Sequence, residues 1–156
     1  CLHDVDAEVR RAACETLGRI GNSSVTPALF EVLSDSNPGV VQAAIAAIQS
    51  LNGADTARLA LEAARAEQPG VRRAALRILA YLGHAPAVEV FVAAARGSDA
   101  RVRDAALAGL PLLDDPQALH ALLGFSEDTS PPTRASASLE CGRRSVQIAA
   151  ASCVNC

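Results

Sequence analysis

The sequence predicts an all-α fold, a solenoid of stacked antiparallel helix pairs. Three observations support this prediction. A short pattern recurs every 31 residues along the 156-residue chain, and a fixed step of this size is typical of repeat architectures. Apolar residues within each copy follow helical spacing. Half of all residues are hydrophobic, which is enough for one continuous core. Such a core must be shared, because one helix pair cannot bury its apolar faces alone.

The pattern keeps its register through five copies. The leading column consists of Val9, Val40, Val71, Val102 and Thr133. Four positions later stands an alanine column that never changes, made of Ala13, Ala44, Ala75, Ala106 and Ala137. Two larger apolar columns follow, Leu17, Ile48, Leu79 and Leu110, and then Ile20, Leu51, Leu82 and Leu113. An invariant small residue between larger ones predicts helices that pack closely, since the distance between helices depends on the side chains at their contact.

The first helix of each copy begins at a polar residue, which can cap it by accepting a backbone N–H bond. These residues are Asp6, Asn37, Gln68, Asp99 and Ser130, of which Gln68 is the weakest cap. Pro38, Pro69 and Pro131 follow three of them. Proline is accepted at the first helical position because its missing N–H would be unpaired there anyway. The helix ends fall in a column of Gly21, Asn52, Gly83 and Asp114, and Gly and Asn tolerate the left-handed conformation that closes a helix.

The second helix of each copy is shorter. The four predicted second helices cover residues 26–34, 56–66, 86–96 and 116–125. Pro111 lies inside the fourth first helix, where it removes a hydrogen bond and is expected to kink the helix. The fifth copy decays after Ala137. We therefore predict a repeat array over residues 1–137, followed over residues 138–156 by an atypical C-terminal cap or a disordered tail.

Four segments carry a resemblance to a known family. They are 4–13 (DVDAEVRRAA) with 17–21 (LGRIG), 35–40 (DSNPGV), 69–75 (PGVRRAA) and 99–106 (DARVRDAA). Together they resemble the HEAT-like repeat of the short bacterial type, which also occurs in phycobilin lyase subunits. The resemblance implies a right-handed, armadillo-like superhelix of 31-residue repeats. It leaves the activity open, because the family includes scaffolds, enzyme subunits and proteins without an assigned role.

An arginine column follows the leading column by one position. It consists of Arg10, Arg72, Arg103 and Arg134, with Val41 in the second copy. In arrays of this kind the Arg of one copy can reach an Asp of its neighbour, and the Asp column here contains Asp4, Asp35 and Asp128. We therefore expect a structural ladder of Asp–Arg pairs between repeats. Phosphate or nucleic-acid binding by these arginines is the alternative, and the formal net charge of −3 argues against it.

The exposed face of the second helices is the predicted binding surface, since in HEAT-like solenoids these helices line the concave side. Its candidate residues are Arg58, Glu62, Arg65, Glu89, Arg96 and His120. They vary from copy to copy while the core columns stay constant. The mixture of signs favours a protein or peptide partner over a polyanion. Ordinary surface drift would produce the same variation.

No pattern in the sequence indicates a cofactor or a metal. His3, His84 and His120 have no His or Cys three or four residues further on. Cys153 and Cys156 form a CxxC at the extreme terminus, without the following helix that a redox motif needs. Five cysteines without regular spacing favour a reducing compartment, and we expect a cytoplasmic protein.

The chain contains no Met, even at position 1, so we expect a fragment or a processed product. No uncharged apolar run reaches the roughly 18 residues that a membrane span needs, and no membrane association is expected.

These observations favour a non-catalytic scaffold that binds a protein or peptide on the concave face, with no nucleic acid as partner. The alternative is a subunit of a lyase-type enzyme that binds a bilin or a phycobiliprotein; a glycosylase for alkylated DNA bases is less favoured, because glutamates lie on the expected groove. Leu2, Val5 and Val9 are the candidates for an outward face of the first repeat, and self-association through the open N-terminal end is a further possibility.

Overall fold

The computed structural model describes residues 1–113, 115–126 and 135–140, and all regular structure within them is helical. The chain divides into two compact units, Cys1–Leu82 and Gly83–Cys156. The all-α prediction is confirmed.

The first unit contains three long helices and two short ones. They are α1 (Ala7–Ile20), α2 (Thr26–Glu31), α3 (Pro38–Leu51), α4 (Thr56–Ala63) and α5 (Pro69–Leu82). The long helices are the first helices of repeats one to three, and each has 14 residues. The second helix predicted for repeat one, residues 26–34, is α-helical over its first six residues and continues as a 3-10 turn over Val32–Ser34. Another 3-10 turn, Ser23–Val25, precedes it. Within this unit α3 packs against both α1 and α5.

The described residues of the second unit contain three α-helices and a short fourth helical segment. They are α6 (Val88–Ala95), α7 (Ala100–Gly109), α8 (Pro116–Ser126) and the helical residues 135–140. The expected kink at Pro111 takes another form, because α7 ends at Gly109 and the chain continues as a 3-10 turn over Leu110–Leu112. The proline therefore shortens this first helix to 10 residues instead of bending it.

The predicted helix caps are present at three starts. The side chain of Asp6 accepts the backbone N–H of Glu8 at 2.8 Å. Asn37 accepts that of Gly39 at 2.8 Å, and Asp99 accepts that of Val102 at 2.9 Å.

The ends of the first three long helices also follow the prediction. The three residues that close them have positive φ, 78° at Gly21, 38° at Asn52 and 60° at Gly83. Asp114, the fourth member of that column, lies outside the described residues.

The repeat columns form the core. Ala44, Ala75, Ala106 and Ala137 have no exposed surface, and the same holds for Ile48, Leu79 and Leu110 in the next column. The close packing of α1 on α3 is visible at Gly18, where an added Cβ would lie 3.0 Å from the Cα of Ala47. The predicted division at residue 137 stays a prediction, since residues 141–156 lie outside the described part of the chain.

Candidate functional site

In the described part of the chain, the arginine column forms one ion pair between repeats. Arg10 of α1 meets Asp35, which precedes α3, in a two-pronged contact: Nε lies 2.6 Å from Oδ2 and Nη2 lies 3.0 Å from Oδ1. Both side chains are largely shielded, with exposed fractions of 14% and 10%. The hydrogen bond from Arg10 holds the pKa of Asp35 below its ordinary value. Because Asp35 Oδ1 also accepts the backbone N–H of Asn37 at 2.8 Å, this carboxylate joins α1 to the turn that starts α3.

The arginines also share a second role, which the repeat pattern does not indicate. Nη1 of Arg10 donates to the backbone carbonyls of Asp4 and Val5, at 2.7 and 3.0 Å. Nη1 of Arg72 donates in the same way to Ala66 and Glu67, at 2.9 and 2.6 Å.

Arg103 follows the same pattern more weakly, since its Nη1 reaches the carbonyl of Gly97 at 3.5 Å. Each arginine thus satisfies carbonyl oxygens in the turn before its own helix. These carbonyl groups lie outside the helices, where no helical N–H can pair with them, so the guanidinium supplies their donor.

Of the expected Asp–Arg ladder, the described residues contain the pair of Arg10 and Asp35, and they contain no carboxylate partner for Arg72. Asp4 contributes its carbonyl to Arg10, while its carboxylate accepts the backbone N–H of Asp6 at 3.0 Å. The Arg10–Asp35 pair joins residues 25 positions apart, and 25 positions after Arg72 the sequence has Gly97, which has no carboxylate. Arg134 and Asp128 lie outside the described residues. The same spacing of 25 also separates Arg103 from Asp128, so the sequence marks two candidate pairs, of which the described residues contain Arg10 and Asp35.

All six candidate residues on the second helices are exposed, and they fall into two groups. In the first unit, Arg58 of α4 makes ion pairs with Asp55 at 3.2 Å and with Glu62 at 2.9 Å. These contacts raise the pKa of Arg58, the bond with Glu62 contributing most. The partners are more than half exposed, so the pairs add little stability. Arg65 is exposed two positions beyond the end of α4.

In the second unit, Glu89, Arg96 and His120 line one groove of about 590 Å³ between α6 and α8. Gln117 is the fourth polar residue of its lining, and the apolar part consists of Val88, Val92, Ala93 and Ala121. The guanidinium carbon of Arg96 lies 5.9 Å from the ring centre of Phe125, which is almost fully buried. This cation–π contact holds Arg96 at one end of the groove.

Among residues 1–113, 115–126 and 135–140, no three His, Cys, Asp or Glu side chains come together in a way that could hold a metal ion. Cys1 and Cys14 are free thiols, and burial raises the pKa of Cys14. Cys141, Cys153 and Cys156 lie outside the described residues. In the same part of the chain, each helix is too short or too polar to cross a bilayer.

The comparison with protein families identifies the chain. The family model for HEAT repeats matches residues 1–70 and 56–141. The chain belongs to the HEAT repeat family. The solenoid fold predicted from the 31-residue step is thereby confirmed.

Solved structures agree with this assignment. The complex of CpcE and CpcF of phycocyanin lyase from Nostoc is 27% identical to this HEAT repeat protein, with a TM-score of 0.64 over 74% of this chain and 75% of that chain. Human deoxyhypusine hydroxylase in complex with glycerol is 19% identical, with a TM-score of 0.56 over 92% of this chain and 71% of that chain. The second likeness shows the fold alone. No curated protein sequence matches the chain significantly.

Proposed function

We propose that this HEAT repeat protein is a non-catalytic scaffold that binds a protein or peptide on the exposed face of its second helices. The observation that carries the proposal is the groove between α6 and α8. It combines an apolar floor with Glu89, Arg96 and His120, and protein interfaces commonly have this arrangement of an apolar centre inside a polar rim. A mixture of signs around the floor favours a protein surface over a polyanion.

A lyase-type subunit is the second candidate function, supported by the likeness to the phycocyanin lyase complex of Nostoc. Arg58, Arg65 and Arg96 are the arginines that could pair with bilin propionates. Arg58 already pairs with two carboxylates of its own segment, which weakens its availability for that role. Added bilin would change its absorbance on binding if this second candidate function were correct.

The scaffold proposal is tested by selecting random 16-residue peptides displayed on phage against the protein. We expect enrichment of a peptide family on the wild type and its loss on Ala93→Trp, which fills the groove from an exposed position. Ala108→Trp on α7 is the matched control, because Ala108 is exposed in the same unit and is not part of the groove lining. Enrichment that survives Ala93→Trp would refute the groove as the binding surface.

Self-association through the N-terminal end is a separate proposal with its own support. Val5 is fully exposed, Ile20 is 66% exposed and Val9 is 39% exposed, so α1 and the residues before it present apolar surface. We expect a weak, concentration-dependent dimer in sedimentation velocity, weakened by the double variant Val5→Ser/Ile20→Ser. A sedimentation coefficient independent of concentration up to millimolar protein would contradict it.

The proposed location is the cytoplasm. Five cysteines without regular spacing support a reducing compartment.

A further inference from the structure

Two opposite charges lie at opposite ends of the groove between α6 and α8. Glu89 is in the first turn of α6, and Arg96 directly follows its last residue. Seven positions along a helix correspond to about 10 Å, too far for these side chains to neutralise each other as a contact pair. Among the described residues neither side chain has an ion-pair partner. The contrast within the molecule is Arg58 and Glu62, which are four positions apart and pair at 2.9 Å.

The surface between these charges is apolar and made of small side chains. Val92, Ala93 and Ala121 form it, and Ala93 is exposed. Beyond Ala121, one turn further along α8, a Cβ added at Gly124 would meet nothing within 4 Å. Alanine and glycine at these positions let the backbone of a second helix approach closely, since the distance between helices depends on the side chains at their contact.

We propose that the groove binds about two turns of an amphipathic helix with an acidic residue facing Arg96 and a basic residue facing Glu89. The two charged residues are seven positions apart in the partner, and apolar residues three and four positions from the first one lie on Val92, Ala93 and Ala121. This stripe at i, i+3, i+4 and i+7 is the one face that a helix presents to a groove. The inference rests on the proposed scaffold function and specifies its partner.

The charges of the partner follow from those of the groove, because a partner residue that faces Glu89 or Arg96 with the same charge would weaken binding. A partner with two acidic residues at this spacing would place one of them against Glu89, and like charges at an interface oppose binding. Because both groove charges are on the exposed rim, their effect is moderate and weakens as salt is added.

The test uses two fluorescent synthetic 16-residue peptides, identical except for the charges at the two stripe positions. One has Glu and Lys seven positions apart, and the other has Glu at both positions. We expect the wild type to bind the Glu/Lys peptide about fivefold more tightly in 50 mM salt by fluorescence anisotropy, with a smaller ratio in 0.5 M salt. Glu89→Lys should reverse the preference, since both ends of the groove are then basic.

Glu67→Lys is the matched control, because it makes the same charge change at an exposed residue outside the groove. It should leave the preference for the Glu/Lys peptide intact, and circular dichroism should show equal helix content in all three proteins. Equal affinity of the wild type for both peptides, a preference that Glu89→Lys leaves unchanged, or no binding of either peptide would overturn the inference. Occupation of the groove by a second copy, seen as a dimer that Ala93→Trp abolishes, would overturn it too.

None of these outcomes decides the scaffold proposal itself. That proposal depends on whether selected peptides lose binding to Ala93→Trp, whatever their charges are.

Discussion

The helices α1 and α3 have the same length and the same repeat pattern, yet they differ in how much of it they bury. Cys14 is the single buried residue of α1, while α3 buries six residues. In the leading column Val9 is 39% exposed and Val40 is 1% exposed. The reason is position, because α3 packs between α1 and α5 whereas α1 has α3 on one side. The repeat pattern gives each first helix an apolar face, and that face is buried only where a neighbouring repeat packs against it.

The sequence already reflects this difference in its charges. The segment that forms α3 has no charged residue, while α1 has five, namely Glu8, Arg10, Arg11, Glu15 and Arg19. Arg11 pairs on the helix surface with Glu8 at 2.6 Å and with Glu15 at 3.1 Å. Exposed pairs of this kind suit a helix that faces solvent and contribute little to stability.

The largest expected effect concerns the large apolar column. Ile48→Ala in α3 should lower the free energy of unfolding by about 2–5 kcal/mol, because Ile48 is fully buried and its truncation leaves a cavity. Leu17→Ala, at the equivalent position of α1, should cost less than about 2 kcal/mol, since Leu17 is only half-buried and water can fill the space. Urea denaturation followed by circular dichroism measures both. Equal decreases in the free energy of unfolding for the two variants would contradict the difference in burial between α1 and α3.

The next largest effect concerns the alanine column, where a substitution enlarges a buried side chain instead of truncating it. Ala44→Leu should destabilise the protein by about 1–3 kcal/mol, because a fully buried helix contact has no room for the added atoms. Ala75→Leu should behave in the same way. Ala13→Leu is the control, as Ala13 is half-buried, and its effect should stay below about 1 kcal/mol. A melting temperature of Ala44→Leu equal to that of the wild type would show that this column tolerates larger residues.

The smallest effect concerns the ion pair between α1 and the turn before α3. In the folded protein the pKa of Asp35 is lowered by its bond with Arg10, so the unfolded chain takes up a proton at higher pH than the folded one. The stability that this pair contributes is therefore complete above the ordinary Asp pKa of about 4 and is lost as the pH falls through the lower, folded value.

The variant Asp35→Asn isolates that contribution. It should be less stable than the wild type at neutral pH, and the difference should shrink in acid. Glu8→Gln, which removes an exposed pair of Arg11, is the control and should show little change at either pH. A difference between wild type and Asp35→Asn that stays constant down to about pH 3 would contradict the assignment.

Several features of the fold followed from local patterns in the sequence. The starts of α1, α3 and α7 were predicted from capping side chains, and the helix ends at Gly21 and Asn52 from residues that accept positive φ. Each of these signals acts within a few residues of the chain. The periodic columns also predicted the core, because an apolar helix face that recurs every 31 residues packs against the equivalent face of the neighbouring repeat.

The role of the arginine column could not be predicted in the same way. The pattern suggested one ladder of Asp–Arg pairs, but Arg72 binds two carbonyl oxygens and Arg10 binds both carbonyls and Asp35. Carbonyl oxygens are present at every residue, so no letter in the sequence marks the ones that an arginine will reach.

The sequence alone determined the repeat family, the starts of three first helices and the alanine column of the core from repeat two onward, because capping hydrogen bonds and side-chain periodicity along a helix are local. Only the tertiary structure separated the six exposed candidates into two groups. Arg58 and Glu62 satisfy each other on α4, whereas Glu89, Arg96 and His120 come together in one groove although they lie on two helices. That grouping depends on how α6 and α8 pack, which is set by side chains far apart in the chain.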